Sequence, residues 1–195
     1  SKKMKVKQVV LGIMLCGTLV GAMGCATESC TQDFNSKVHS AHLALEEGRT
    51  QDAVSKLEEA ETISSECSCD KASLERLKVE ASLCLGNTVE AYDQAKQLLD
   101  AGPQDPFANE LFGKICLTEG EFKRAETHFT LAQQAYENNE DISRARDLLA
   151  LTRYFLAYQD ANPRLAEQYM REIEDYELAH ALDKARKDLN VARAN

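Results

Sequence analysis

Between residues 86 and 132 the sequence repeats itself: Gly120, Ala125, Phe129 and Ala132 stand 34 residues after Gly86, Ala91, Ala95 and Leu98. An earlier copy, Ala41, Gly48, Ala53, Leu57 and Ala60, precedes the second by 38 residues, the excess falling in the loop 64–70. A fourth copy, Tyr154, Ala161, Ala166, Met170 and Ile173, follows the third by 41 residues, with Asn138-Asn139-Glu140 lengthening the connection. A turn residue followed by small and large apolar residues at helical spacing describes two helices joined tightly. One such hairpin cannot bury its apolar face alone, so the units must stack. Small residues let helices approach where they cross, and a larger side chain fills the neighbouring hole.

Ala, Leu, Glu, Lys, Gln and Arg fill most of the chain after residue 35, and these residues favour helix. No sheet is expected. Phe112-Gly113, Gly120, Ala125, Phe129 and Ala132 resemble a unit of the tetratricopeptide (TPR) family, which has a Leu-Gly-like pair in its first helix, a turn glycine, and then Ala, an aromatic and Ala in its second. The resemblance implies an all-α, TPR-like right-handed superhelix of about four hairpins, at 34–66, 71–103, 105–137 and 141–175. Residues 176–195, with Leu178, Leu182 and Leu189 at helical spacing among many charges, read as a C-terminal capping helix.

Ahead of the repeats lies an address. Lys2, Lys3, Lys5 and Lys7 precede an uncharged apolar run, residues 9–24, rich in glycine and followed at once by polar residues. That order is the order of a secretory signal, and the run is short for a membrane span. It ends in Ala22-Met23-Gly24-Cys25, which resembles the lipobox of bacterial lipoproteins, although that family usually carries Leu where Ala22 stands. The resemblance implies removal of residues 1–24, lipidation of Cys25 and a tether over 25–33. Several acyl chains on one residue hold far better than the marginal binding of a single chain. Ala26 rather than Asp after the cysteine implies, on the enterobacterial pattern, the outer membrane, with the folded part facing the periplasm.

The formal net charge is −9; leaving aside those four lysines, 19 of the 23 basic residues face 32 acidic ones, about −13. Such a surface repels phosphate backbones and disfavours nucleic acid as a partner. The sequence offers no Ser-His-Asp order, glycine-rich phosphate loop or His-Glu-x-x-His helix, so neither an enzyme nor a small-molecule substrate is expected. His39 and His42 share a helical face, but the sequence fixes no third ligand beside them; no metal or cofactor is expected.

Cysteines are unusually frequent. Export would place them where disulfides persist. Cys67 and Cys69 lie in the long first loop, too close together to bond without strain, and one of them is expected to pair with Cys30. Cys84 and Cys116 occupy similar places in units two and three and read as small core residues.

If the units stack as in TPR proteins, first-helix side chains line a concave groove. The candidates are Val38, His42, Arg76, Glu80, Phe107, Glu110, Lys114, Leu151, Phe155 and Tyr158, with the fourth unit the most apolar and aromatic. The whole is similar to the TPR lipoproteins that serve pilus assembly. That resemblance implies a membrane-anchored adaptor which holds a protein partner in the cell envelope. The alternatives are an accessory lipoprotein of outer-membrane β-barrel assembly and, from another class, a cysteine-based metal or redox protein.

Overall fold

The computed structural model of the protein describes residues 28–66 and 69–183. The signal segment, Cys25, Cys67 and the chain beyond residue 183 lie outside the described residues. Among those described, the regular structure is helical, with no strand: α1 Glu28–Glu46, α2 Thr50–Glu66, α3 Ala72–Cys84, α4 Thr88–Ala101, α5 Pro106–Glu119, α6 Phe122–Ala135, α7 Asn139–Gln159 and α8 Pro163–Glu172. A further helical stretch covers 176–183. The repeat spacing places the start of the first unit at residue 34, but α1 begins at Glu28. None of the described helices is long and apolar enough to cross a membrane.

Short turns join α1 to α2, α3 to α4, α5 to α6 and α7 to α8, and all four turns close in the same way. Gly48, Gly86, Gly120 and Ala161 take positive φ, at 72°, 78°, 78° and 54°. The next amide then reaches back five residues: Arg49 N to Ala44 O at 2.8 Å, Asn87 to Ser82 at 2.9 Å, Glu121 to Cys116 at 2.8 Å and Asn162 to Ala157 at 2.9 Å. This closure satisfies carbonyls that a helix end leaves without partners, and its left-handed residue is normally glycine. Five residues beyond each of these positions lies a buried alanine. Ala53, Ala91 and Ala125 are wholly inaccessible, and Ala166 is 3% exposed.

The chain divides into two compact units, between residues 97 and 98. In the first, Phe34, Val38 and Ala41 of α1 pack with Leu57 and Ala60 of α2 and with Leu74 and Leu77 of α3. Each large side chain removed from water there contributes roughly 1.5–3 kcal/mol. Lys37 with Glu59, and Lys78 with Glu61 at 2.9 Å, tie the rims of these helices.

In the second unit, α5 is buried along nearly its whole length, from Ala108 to Thr118. Asp105 starts it by accepting the amides of Phe107 and Ala108 at 2.8 and 3.2 Å, with Pro106 in its first turn. Asn138 begins α7 in the same manner, accepting from the amide of Asp141 at 2.8 Å. Asn162 begins α8, with Pro163 in the first turn. After α8 the chain is held by Asp147 of α7, whose two carboxylate oxygens accept the amides of Glu174 and Asp175 at 3.1 and 2.8 Å. Asp175 then accepts the amide of Leu178 at 3.0 Å and starts the stretch 176–183, which buries Leu178 and Leu182.

Candidate functional site

The residues expected to line a groove do not form one exposed surface. In the first unit, Val38 is 2% exposed and belongs to the core. His42 is also buried, its Nε2 lying 3.4 Å from Glu46 Oε1. Arg76 and Glu80 are half-buried on α3.

In the second unit the expected charges have turned inward. Glu110 is 2% exposed, and three cationic or phenolic groups converge on its carboxylate. Tyr136 Oη donates to Oε2 at 2.7 Å. Arg144 donates through Nε to Oε1 at 3.1 Å and through Nη2 to Oε2 at 3.0 Å. Lys114 Nζ lies 2.9 Å from Oε1 and is itself buried. Burial alone would push the Glu110 carboxyl up, but the charges of Lys114 and Arg144, with the hydrogen bonds from Arg144 and Tyr136, outweigh it and hold the group at about 2. An ionised carboxylate with both oxygens engaged has no capacity for proton transfer near neutrality; the cluster fastens α5, α6 and α7 together. Phe107 is half-buried and meets Tyr136 edge-on at 5.0 Å between centroids.

The aromatic fourth unit is corrected most strongly. Leu151 is fully buried, and Phe155, 8% exposed, stacks on Phe122 at 5.2 Å and meets Tyr154 edge-on at 5.4 Å. Tyr158 is half-buried and lies over Tyr154 at 6.2 Å. Phe122, at the start of α6, covers a face of the Phe155 ring that the groove reading leaves to a partner. Leu151 and Phe155 are core.

Cys30, half-buried in α1, is disulfide-bonded. Cys69, expected as one of its possible mates, retains its thiol, as do Cys84 and Cys116. Cys69 and Cys84 pack against the first unit's core, and burial pushes the Cys116 thiol up to about 11, far from a nucleophile's range. His128 is held by Asn109, whose amide nitrogen donates to Pro103 O and Asp105 O and so turns its carbonyl oxygen to His128 Nδ1 at 3.0 Å. Burial, then the charge of Arg124, lowers the His128 pKa, so the ring is a neutral donor in the helix pair. No group of three His, Cys, Asp or Glu suited to a metal ion occurs among the described residues.

A feature that the sequence reading missed lies between α6, α7 and α8. A cavity of about 370 Å³ is lined by Arg146, Arg153 and Arg171, by Glu172 and Glu174, and by Gln133 with the buried Leu149 and Ala150. Arg146 pairs with Glu174, and Arg153 Nε reaches Glu126 Oε1 at 2.8 Å. The signal available in the sequence is the seven-residue step from Arg146 to Arg153, which puts both on one helical face.

Comparison with protein-family models and with curated proteins returns no match.

Proposed function

We propose that this chain is a lipid-anchored TPR-type scaffold that binds a protein partner in the periplasm, at the outer membrane, during assembly of a pilus, secretion or other envelope complex. The observation that carries the reading is the fourfold recurrence of one closure: a left-handed residue at 48, 86, 120 and 161, each followed five residues on by a buried alanine. In repeat proteins, hairpins recurring at this spacing stack, and the surfaces of such stacks serve polypeptide ligands. The lipobox-like Ala22-Met23-Gly24-Cys25 supplies the anchor, and the net charge of −9 favours protein over nucleic acid.

The test is crosslinking in the native cell followed by mass spectrometry, alongside a Cys25→Ser variant and metabolic labelling with a fatty acid. The reading expects label on the wild type alone, and one envelope protein enriched with the wild type. An unlabelled, wholly soluble wild type would remove the anchor. Absence of any enriched envelope protein would remove the adaptor.

A further inference from the structure

With Cys25 as the acylated residue, the link between bilayer and fold is very short, because α1 has already begun at Glu28. The tether expected over 25–33 shrinks to residues 26 and 27. Three fully extended residue steps span at most about 11 Å. α1 has 19 residues and is about 28 Å from end to end. The start of α1 is therefore confined to the bilayer surface, while its far end is free to lie well beyond the head groups.

The register of the helices fixes which other residues share the confined end. Short connections run α2 back along α1 and α3 back along α2, and the pairs Lys37 with Glu59 and Lys78 with Glu61 set the alignment. Counting outward from those pairs brings Cys30 level with Glu66, and Glu66 level with Ser73. The turn 47–49 and Leu85 fall at the opposite end. Exposed Ser29, Ser65, Glu66, Asp70 and Lys71 mark the confined end, all of them polar. The exposed large apolar residues of the first unit, Leu43, Leu85, Val89 and Tyr92, lie toward the other.

A hairpin lying flat on lipid needs an apolar stripe flanked by cations along its length. Residues 28–66 instead carry nine acidic side chains against three basic ones, Lys37, Arg49 and Lys56. Exposed Asp33, Glu46 and Glu58 spread that surplus along both helices, and anionic head groups repel it.

We infer that the first hairpin stands on the bilayer, with the end that bears Ser29, Ser65, Glu66 and Asp70 against the lipid head groups and the turn 47–49 pointing away. The two-residue link imposes this contact; affinity for lipid does not. The polar end has no large exposed side chain to enter the acyl layer, and the apolar end is kept out of it. This orientation rests on the lipid-anchor reading.

The experiment places the acylated, isotope-labelled full chain in small bilayer discs of phosphatidylethanolamine and phosphatidylglycerol doped with a gadolinium-chelating lipid, and reads amide proton relaxation. Ser65 and Ala72 should relax at least about tenfold faster than Gly48 and Asn87, which the helices set roughly 24 Å further out. A long glycine-serine insert after Ala26 should erase that difference. Equal relaxation at the two ends, or faster relaxation at Gly48, would overturn the standing orientation. So would an insert variant that keeps the wild-type ratio, since lipid affinity would then be holding the end in place. Intact mass of the same sample reports acylation. An acylated chain with equal ends defeats the orientation alone, whereas a chain without acyl groups defeats the anchor and the orientation with it.

Discussion

The ring of Phe129 on α6 lies where a side chain on Gly113 of α5 would have to go: a Cβ there would sit 2.7 Å from Phe129 Cε1 and 2.8 Å from Cδ1. Phe129 is itself fully buried, so the ring has nowhere to withdraw. Gly113→Ala should therefore destabilise the second unit by about 1–3 kcal/mol through overpacking, even though alanine is the better helix former. Urea unfolding measures this. A Gly113→Ala, Phe129→Leu double variant should recover part of the loss, and strict additivity of the two changes would contradict the contact.

Ala161 does in the fourth turn what glycine does in the other three. At φ 54° its Cβ bears the left-handed penalty that Gly48, Gly86 and Gly120 avoid. Ala161→Gly should accordingly raise stability by up to about 1 kcal/mol, whereas Gly120→Ala should lower it by a similar amount. No atom lies within 4 Å of a Cβ built at Gly120, so the penalty there is conformational alone. Thermal melts of the two variants should move in opposite directions. Movement in the same direction would mean that the turns are not equivalent.

Those two contacts mark what could be read in the sequence. A left-handed turn selects glycine and a close crossing selects alanine, so the hairpin closures left a trace at 48, 86, 120 and 161 and at the alanines beyond them. Burial of the first helices left none. Glu110 reads as a surface charge until Arg144, one repeat later, folds onto it, and Phe155 reads as a groove aromatic until Phe122 stacks on it at 5.2 Å. Pairings between units depend on where neighbouring helices come to rest, and spacing within one unit does not encode that. The arginine cavity was hidden for the same reason: Arg171 joins Arg146 and Arg153 only after α8 packs back on α7.

The Glu110 cluster predicts an acid limb in stability. The unfolded carboxyl titrates near its ordinary value of 4.5, and the folded one at about 2. With the folded value below the unfolded one, the contribution is fully present above about pH 4.5 and is lost as pH falls through about 2. Glu110→Gln removes that limb and takes from the buried Lys114 and Arg144 the carboxylate they share, while Arg144 keeps Asp141 at 2.6 Å, at a cost of roughly 3–5 kcal/mol near neutral pH. Tyr136→Phe, which deletes one hydrogen bond, should cost about 1 kcal/mol. In urea titrations at several pH values, the gap between wild type and Glu110→Gln should narrow on acidification. A gap independent of pH would show that Glu110 is not the titrating group.

Asp147 fixes the stretch 176–183 through two backbone amides, Glu174 at 3.1 Å and Asp175 at 2.8 Å. Asparagine at 147 keeps one accepting oxygen and points an amide nitrogen at the other N–H, leaving it unmatched. The loss should be local, because Leu178 and Leu182 stay apolar and the caps of α5 and α7 are untouched. Asp147→Asn should therefore speed amide hydrogen exchange across 176–183 by about tenfold, the equivalent of one net hydrogen bond, while protection in α5 and α6 holds. Exchange measured residue by residue at Leu178 and at Ile115 separates the two regions. Equal acceleration at both would mean that Asp147 supports the whole second unit rather than the end of the chain.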